Sequence, residues 1–317
     1  MLRSVTKDSP FRILSFTDQH ICDVGECSRW TLHLMEETIR AESPDLLVFV
    51  GDNVTGGENR ERARDFAARL HALGIPWCPI LGNHEGDNPA SIGRVEMMNI
   101  FRTSPLCLLP PHGALREEGV GAYCVPILRA DGSTCHKLLF FDCGLYLTAA
   151  QKEAWGLPSR AREEQPISQE QLLWYRARVR EDDCPSTVFC HVPLPAYAIA
   201  CEEGALLAGK RRERVCCSAC PDGLFDAMCE EGKSVAMVAG HDHINDFDIL
   251  YRGIRLIYNR MSGFDSYNAI SKKVESRLLQ GATLYTIDVD GNFSRDDILY
   301  EDRYPQYMED IYRVIRK

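Results

Sequence analysis

Five short strings hold the residues best able to do chemistry. They are Asp18-Gln19-His20, Gly51-Asp52-Asn53, Gly82-Asn83-His84-Glu85, His191 within Phe189-Cys190-His191-Val192-Pro193, and Gly240-His241-Asp242-His243. Seven of their side chains are metal-competent, and they divide evenly if Asp52 is shared between two ions. One set is Asp18, His20, Asp52 and His243; the other is Asp52, Asn83, His191 and His241. Mixed nitrogen and oxygen donors suit zinc, iron or manganese. In the i, i+2 pairs Asp18/His20 and His241/His243, both side chains leave the same face of a strand or strand-end turn. Two ions held ~3.5–4 Å apart share a hydroxide and clamp an anionic oxygen, the equipment for in-line attack on phosphorus. A lone histidine is more often structural than ligating; the weight lies in five strings in this order. His84 directly follows Asn83 and is needed by neither set.

The elements that must position these strings are legible from periodicity. Phe11 to Thr17 reads as a strand, Leu46 to Val50 as a continuous apolar run of the buried-strand type, and Ile75 to Leu81 as another strand. Between them, Trp30 to Ala41 has helical spacing and stops at Glu42-Ser43-Pro44. Asn59 to Leu73 is an amphipathic helix with Ala63, Phe66, Ala67 and Leu70 on one face, closed by Gly74. This β-α-β-α-β rhythm implies parallel strands with right-handed crossovers. In such sheets ligands bind at the carboxyl ends of the strands, where every one of the five strings lies.

The second half carries more strand and turn. Strands are expected at Ala122–Leu128, Lys137–Asp142, Thr187–His191, Val235–Ala239, Phe247–Tyr251, Leu256–Asn259 and Ala282–Val289. Helices are expected at Ser168–Glu181 and Gly223–Glu231, and a turn at Gly291–Phe293. With no repeat and no linker, the reading is a single α/β domain over 1–317, with a catalytic core of about 11–290 and a C-terminal extension at 291–317. Asp87–Val120 and Thr148–Pro166 read as insertions that cover something.

Composition narrows the class. The chain has 317 residues, 45% hydrophobic and 26% charged, as in ordinary globular proteins. No apolar run approaches the ~20 residues of a membrane helix, so no membrane partner is expected. A net charge of −10 opposes bulk nucleic-acid binding. The basic run Lys210-Arg211-Arg212-Glu213-Arg214 reads as a solvated loop, or else as a patch that recruits an anion. Fourteen cysteines include Cys78, Cys143 and Cys190 inside apolar runs, where Cys acts as a small hydrophobe. With the loaded Asp18-Gln19-His20 so near the start, no leader is read; the expectation is a cytoplasmic protein with reduced thiols. Cys217 and Cys220 form a C-x-x-C pair, but no second pair lies nearby to complete a zinc site.

Other residues near the strings invite roles. Asn53 would hydrogen-bond among the residues that support the ligands, or to phosphate, and Asp246 would fix an imidazole tautomer unless it is a turn residue. Arg260 and Tyr267, past the last string, are candidates for substrate contact.

The order D-x-H, G-D-N, G-N-H-[ED], H, G-H-x-H resembles the calcineurin-like metallophosphoesterase superfamily. The longer strings Phe189–Pro195 and Gly240–Phe247 are similar to its branch called purple acid phosphatase-like. The resemblance runs from about Arg12 to about Asp290. It implies a four-layer α/β/β/α sandwich with two central sheets, two metals between their edges, and a phosphorylated small-molecule or phosphodiester substrate. It also puts His84 at the substrate side, as electrostatic stabiliser or general acid. Purple acid phosphatases carry a metal-binding tyrosine three residues after the bridging aspartate; here that residue is Thr55, and His20 takes the role. Two further readings stand beside hydrolysis of small phosphoesters: a protein serine/threonine phosphatase, and a regulatory protein that binds metal without turnover.

Overall fold

The computed structural model describes residues 2–316 apart from 24, 111–113, 117–118, 162 and 221–222. The first half runs β1 (Phe11–Phe16), α1 (Glu26–Glu42), β2 (Leu46–Val50), α2 (Arg60–Leu73), β3 (Trp77–Ile80), α3 (Arg94–Phe101) and β4 (Ala114–Arg116). Then come β5 (Gly119–Leu128), β6 (Thr134–Phe141), α4 (Ala149–Ala154), α5 (Gln169–Arg180), β7 (Ser186–Cys190) and α6 (Pro195–Glu203). The remainder is β8 (Ala205–Ala208), α7 (Leu224–Glu231), β9 (Ser234–Ala239), β10 (Asp248–Tyr251), β11 (Ile254–Tyr258), β12 (Gly281–Ile287), β13 (Phe293–Leu299), α8 (Tyr300–Arg303) and α9 (Met308–Ile315).

Two mixed sheets form the centre. One has the order β13-β12-β1-β2-β3, the other β4-β5-β6-β7-β9-β11-β10-β8. In the first sheet β1, β2 and β3 are parallel, as the β-α-β rhythm requires, while β12 joins antiparallel to β1. In the second, β6, β7, β9 and β11 are parallel. Strand alternation divides the apolar residues between two cores. On β6, Leu138 and Phe140 join the cluster between the sheets, while Leu139 and Phe141 join the cluster under α5, α6 and α7. On β9, Ala236 and Val238 take the first side and Met237 and Ala239 the second. A strand buried on both faces reads as a continuous apolar run, which is why these strands show no polar alternation in the sequence. The other outer layer packs Leu32, Met35 and Ile39 of α1 and Phe66 and Leu70 of α2 onto the first sheet. The architecture is therefore the expected α/β/β/α sandwich.

Two expectations change. Residues 291–317 are no appendage: β13 pairs with β12 over seven residues, and Tyr300, Tyr304, Met308 and Ile311 pack against Leu34 of α1. Cys143 and Cys190, read as reduced small hydrophobes, are joined in a disulfide that ties the end of β6 to the end of β7. Of the insertions, Asp87–Val120 contains α3 and β4, with 111–113 and 117–118 outside the described residues. Thr148–Pro166 contains α4, whose capping box joins Thr148 to Gln151, with 162 outside the described residues. Among the described residues, no helix is long and apolar enough to cross a membrane.

Candidate metal centre

Five strands end at one site. Asp18 and His20 follow β1, Asp52 follows β2, Asn83 follows β3, His191 follows β7, and His241 and His243 follow β9. Turning a side chain into the cleft just past a strand end demands unusual backbone. Asp18, His20, Asp52 and His241 have φ of 53°, 45°, 50° and 75°, half of the eight positive-φ non-glycine residues among those described. Left-handed conformations in non-glycine residues cost on the order of 1–3 kcal/mol each and persist where the surroundings over-determine them. Two glycines keep the space open. A Cβ at Gly82 would collide with Asp52 Oδ1 and His191 Nε2, and one at Gly240 with Thr17 Oγ1 and Asp18 Oδ2.

Each carboxylate has one oxygen tied and one free. Asp52 Oδ1 accepts from the His84 backbone N–H at 2.8 Å, while Oδ2 is buried with no hydrogen-bond partner among the described residues. Asp18 Oδ2 accepts from the His241 N–H at 3.0 Å and lies 2.7 Å from Thr17 Oγ1, while Oδ1 is likewise orphaned. The orphaned oxygens face ring nitrogens. Asp52 Oδ2 lies 3.5 Å from His20 Nε2 and 3.3 Å from His191 Nε2, so it stands between the two sets. Asp18 Oδ1 lies 3.4 Å from His243 Nε2, and His20 Nε2 and His243 Nε2 are 3.1 Å apart. Bonds of ~2.0–2.2 Å to a tetrahedral ion put its donors roughly 3.3–3.6 Å from one another. Candidate ligand atoms converge as Asp18, His20 and His243, and as Asp52, His191 and His241. Asn83 Oδ1 joins the latter set, 3.1 Å from His191 Nε2, with its amide nitrogen held by the Tyr146 hydroxyl at 2.9 Å. Two buried acceptors without donors, ringed by imidazoles, fit a pair of cations.

Backbone carbonyls orient two of the rings. His191 Nδ1 lies 2.7 Å from the Val50 carbonyl and His243 Nδ1 lies 3.2 Å from the Tyr267 carbonyl. A carbonyl only accepts, so both Nδ1 atoms carry hydrogen and both Nε2 atoms face the cleft. Burial drives His20 down to about 4, with the nearby His243 adding to it against the Asp52 charge. Burial and the His191 charge take His241 to about 3. Burial also works against protonation of His191, but the charges of Asp52 and Asp18 outweigh it and lift this group to about 10. Conversely, the charges of His191 and His243 overcome burial and hold Asp18 at about 2. Asp18 and Asp52 thus stay ionised between the rings, while His20 and His241 stay neutral, the protonation states that ligation of a cation requires of these four groups.

Residues 11–245 match the family profile of calcineurin-like phosphoesterases. The chain belongs to that family. Among its relatives, "Probable inactive purple acid phosphatase 14" of Arabidopsis thaliana is 30% identical, over 83% of this chain and 73% of the relative. "Probable inactive purple acid phosphatase 29" of the same plant is 28% identical, over 85% and 76%. In fold, the chain is similar to a dimetal phosphatase from Danio rerio, with a TM-score of 0.61 at 15% identity, covering 92% of this chain and 99% of that one.

Around the convergent set, this phosphoesterase-family chain uses several residues whose roles the sequence did not disclose. Glu85, the last residue of the third string, accepts from the Gly82 N–H at 2.7 Å, the Asp52 N–H at 3.1 Å, Asn53 Nδ2 at 2.9 Å and the Asn53 N–H. It thereby binds the turns after β2 and β3 together. Arg94 of α3 braces the same turn through the Gly82 carbonyl and the buried Asp142 carboxylate. His84 stands outside the set: its ring is part-exposed and its Nδ1 lies 2.8 Å from Asp87 Oδ2. The i, i+3 spacing of His84 and Asp87 was the available signal for that pair. Asn53 donates to Glu85 and to the Ile80 carbonyl.

Three expectations are corrected. Asp246 fixes no imidazole; its carboxylate faces Arg212 and Arg260, and the Tyr267 carbonyl orients His243 instead. Arg260 is buried, with its guanidinium spent on Asp246, Asp297 and the Leu279 carbonyl. Tyr267 packs on a candidate ligand: its ring stacks on His243 at 4.2 Å, and its hydroxyl meets Glu213. The run at 210–214 is partly locked, Arg212 pairing with Asp246 and Glu275, and Glu213 with Lys272. Among the described residues, Cys217 and Cys220 belong to no candidate metal group; Cys216 approaches His241 and Asp242.

Proposed function

We propose that the chain is a phosphoester hydrolase, acting on phosphomonoesters or phosphodiesters with two first-row metal ions, manganese, iron or zinc. The observation that carries this reading is the pair of orphaned carboxylate oxygens on Asp18 and Asp52, aimed between imidazoles whose Nε2 atoms converge. Asp18, His20, Asp52 and His243 would hold one ion; Asp52, Asn83, His191 and His241 would hold the other. Bound ions supply an activated water and positive charge for the phosphoryl oxygens. The chain itself supplies the rest. Asp52 is fixed by the His84 N–H so that its free oxygen serves both sets. His84, with Nδ1 on the Asp87 carboxylate, keeps Nε2 for the leaving-group oxygen, to which an imidazolium gives its proton.

A second reading, metal binding without turnover, is favoured by the word "inactive" in the names of the plant relatives. The part-exposed His84–Asp87 pair favours turnover, since a purely structural site has no use for it. The deciding assay compares p-nitrophenyl phosphate with its bis ester after loading with manganese, zinc or iron, with metal content measured alongside. Turnover that needs two metals per chain and vanishes in Asp52→Asn is expected. Two bound metals with no turnover of either ester would establish the second reading.

A further inference from the structure

β8 is the outer strand of the eight-stranded sheet, and it is an unusual edge. It pairs only with β10, with Ala208 opposite Asp248, Leu206 opposite Ile249 and Ala205 opposite Leu250. The register shifts at Leu207, which has no opposite residue on β10. All four side chains are exposed, Leu206 at 59% and Leu207 at 52%. Leu250 of β10, opposite Ala205, is exposed as well. Edge strands present unpaired N–H and C=O groups, and proteins ordinarily protect them with charged residues, proline or a bulge. Here a bulge is present, but Ala-Leu-Leu-Ala contains neither charge nor proline.

The sequence around the edge is self-complementary. Gly204-Ala205-Leu206-Leu207-Ala208-Gly209 reads the same in both directions, with Glu202-Glu203, the last residues of α6, before it and Lys210-Arg211 after it. We infer that β8 is a docking edge for a second copy of this chain, which pairs antiparallel to it about a two-fold axis between Leu206 and Leu207. That arrangement puts Leu206 of one copy opposite Leu207 of the other and Ala205 opposite Ala208. The acidic flank of each copy then meets the basic flank of the other, twice, as an isologous interface requires. Parallel pairing would instead set acid against acid and base against base. The charges are also available. Glu202 has no ion pair or hydrogen bond among the described residues, and Glu203 only receives the Tyr251 hydroxyl at 3.2 Å. Lys210 Nζ is 3.9 Å from Glu275 with 68% of its side chain exposed, and Arg211 donates only to the Glu213 carbonyl at 3.3 Å. The ladder supplies main-chain hydrogen bonds, the leucines supply burial, and the flanks set direction. So short an edge lies at the small end of interface size, so the dimer is reversible, with a dissociation constant in the micromolar range.

Sedimentation velocity over a concentration series tests this. The wild-type chain should shift from monomer to dimer as concentration rises, and Leu206→Arg/Leu207→Arg should stay monomeric. Glu202→Lys/Glu203→Lys and Lys210→Glu/Arg211→Glu should each be monomeric alone, yet associate when mixed. All four changes in one chain should restore self-association. These positions are exposed, and circular dichroism checks that each variant is folded. A wild-type chain that stays monomeric at high micromolar concentration overturns the inference. So does a dimer indifferent to the charge swaps, or two swapped chains that do not combine.

Discussion

The histidines of this chain differ in what their ring nitrogens face, and that decides their roles. His20, His191 and His243 are buried, and His241 half-buried, among carboxylates and one another, whereas the His84 ring is part-exposed and rests Nδ1 on Asp87. The two kinds are indistinguishable as letters in the sequence; burial and partner separate them. His84→Ala is expected to lower turnover by roughly 10²–10⁴, the usual range for a positioned general acid, with two metals still bound. The loss should be greatest for alkyl phosphates, whose leaving groups need a proton, and least for activated aryl esters. A leaving-group series with equal losses throughout would instead assign His84 to holding phosphate oxygens. Asp87 is the residue to vary next, because it alone explains why Nδ1 and not Nε2 is occupied.

At the level of elements, the site is a set of turns held in common. Glu85 links the turns after β2 and β3 through four donors, all buried. Removing the acceptor leaves those donors unsatisfied, and each unsatisfied buried donor costs ~1–3 kcal/mol. Glu85→Ala should therefore lower unfolding free energy by at least about 3 kcal/mol in urea titrations and weaken metal retention. A loss below about 1 kcal/mol would mean that water takes over the same donors. Much of this level was legible in advance. β1, β2, β3 and β7 lie where the strands were read, and β2 shows the reason most clearly, since a strand buried on both faces leaves an unbroken apolar signature. α2 ends at Gly74, as read, because that residue takes φ 73°. What stayed hidden has a common physical cause. Glu85, Arg94 and Tyr146 act through tertiary contacts up to 63 residues apart, and no local period records those. β8 and β13 lack the usual cues, since β8 is four exposed residues and β13 mixes Arg and Asp into an edge strand. Asp246 and Arg260 were misread because proximity to a ligand in sequence does not say which way a side chain turns.

The two sheets meet at the candidate metal centre, since β1, β2 and β3 supply one side of it and β7 and β9 the other. Away from the site, the two sheets are stitched by His136 of β6. Its Nδ1 lies 3.0 Å from the Gly291 carbonyl in the β12–β13 turn, and its Nε2 lies 2.9 Å from Thr187 Oγ1 on β7. The ring also stacks on Phe293 at 5.9 Å. Because a carbonyl only accepts, the neutral ring with hydrogen on Nδ1 satisfies both contacts. Burial holds this group at about 4, against the opposing pull of the Gly291 hydrogen bond. In the unfolded chain it titrates near ~6.5. Below that pH the unfolded state gains a proton that the folded state refuses until about 4. Stability is therefore complete above ~6.5 and falls as pH drops towards 4, by about 2–3 kcal/mol from this residue. Urea midpoints of chelator-treated protein at pH 7 and pH 4.5, for wild type and His136→Gln, isolate the contribution. The variant should be weaker at pH 7 yet lose clearly less on acidification. Equal acid sensitivity of the two proteins would move the linkage to other buried groups and leave His136 as a packing residue between the sheets.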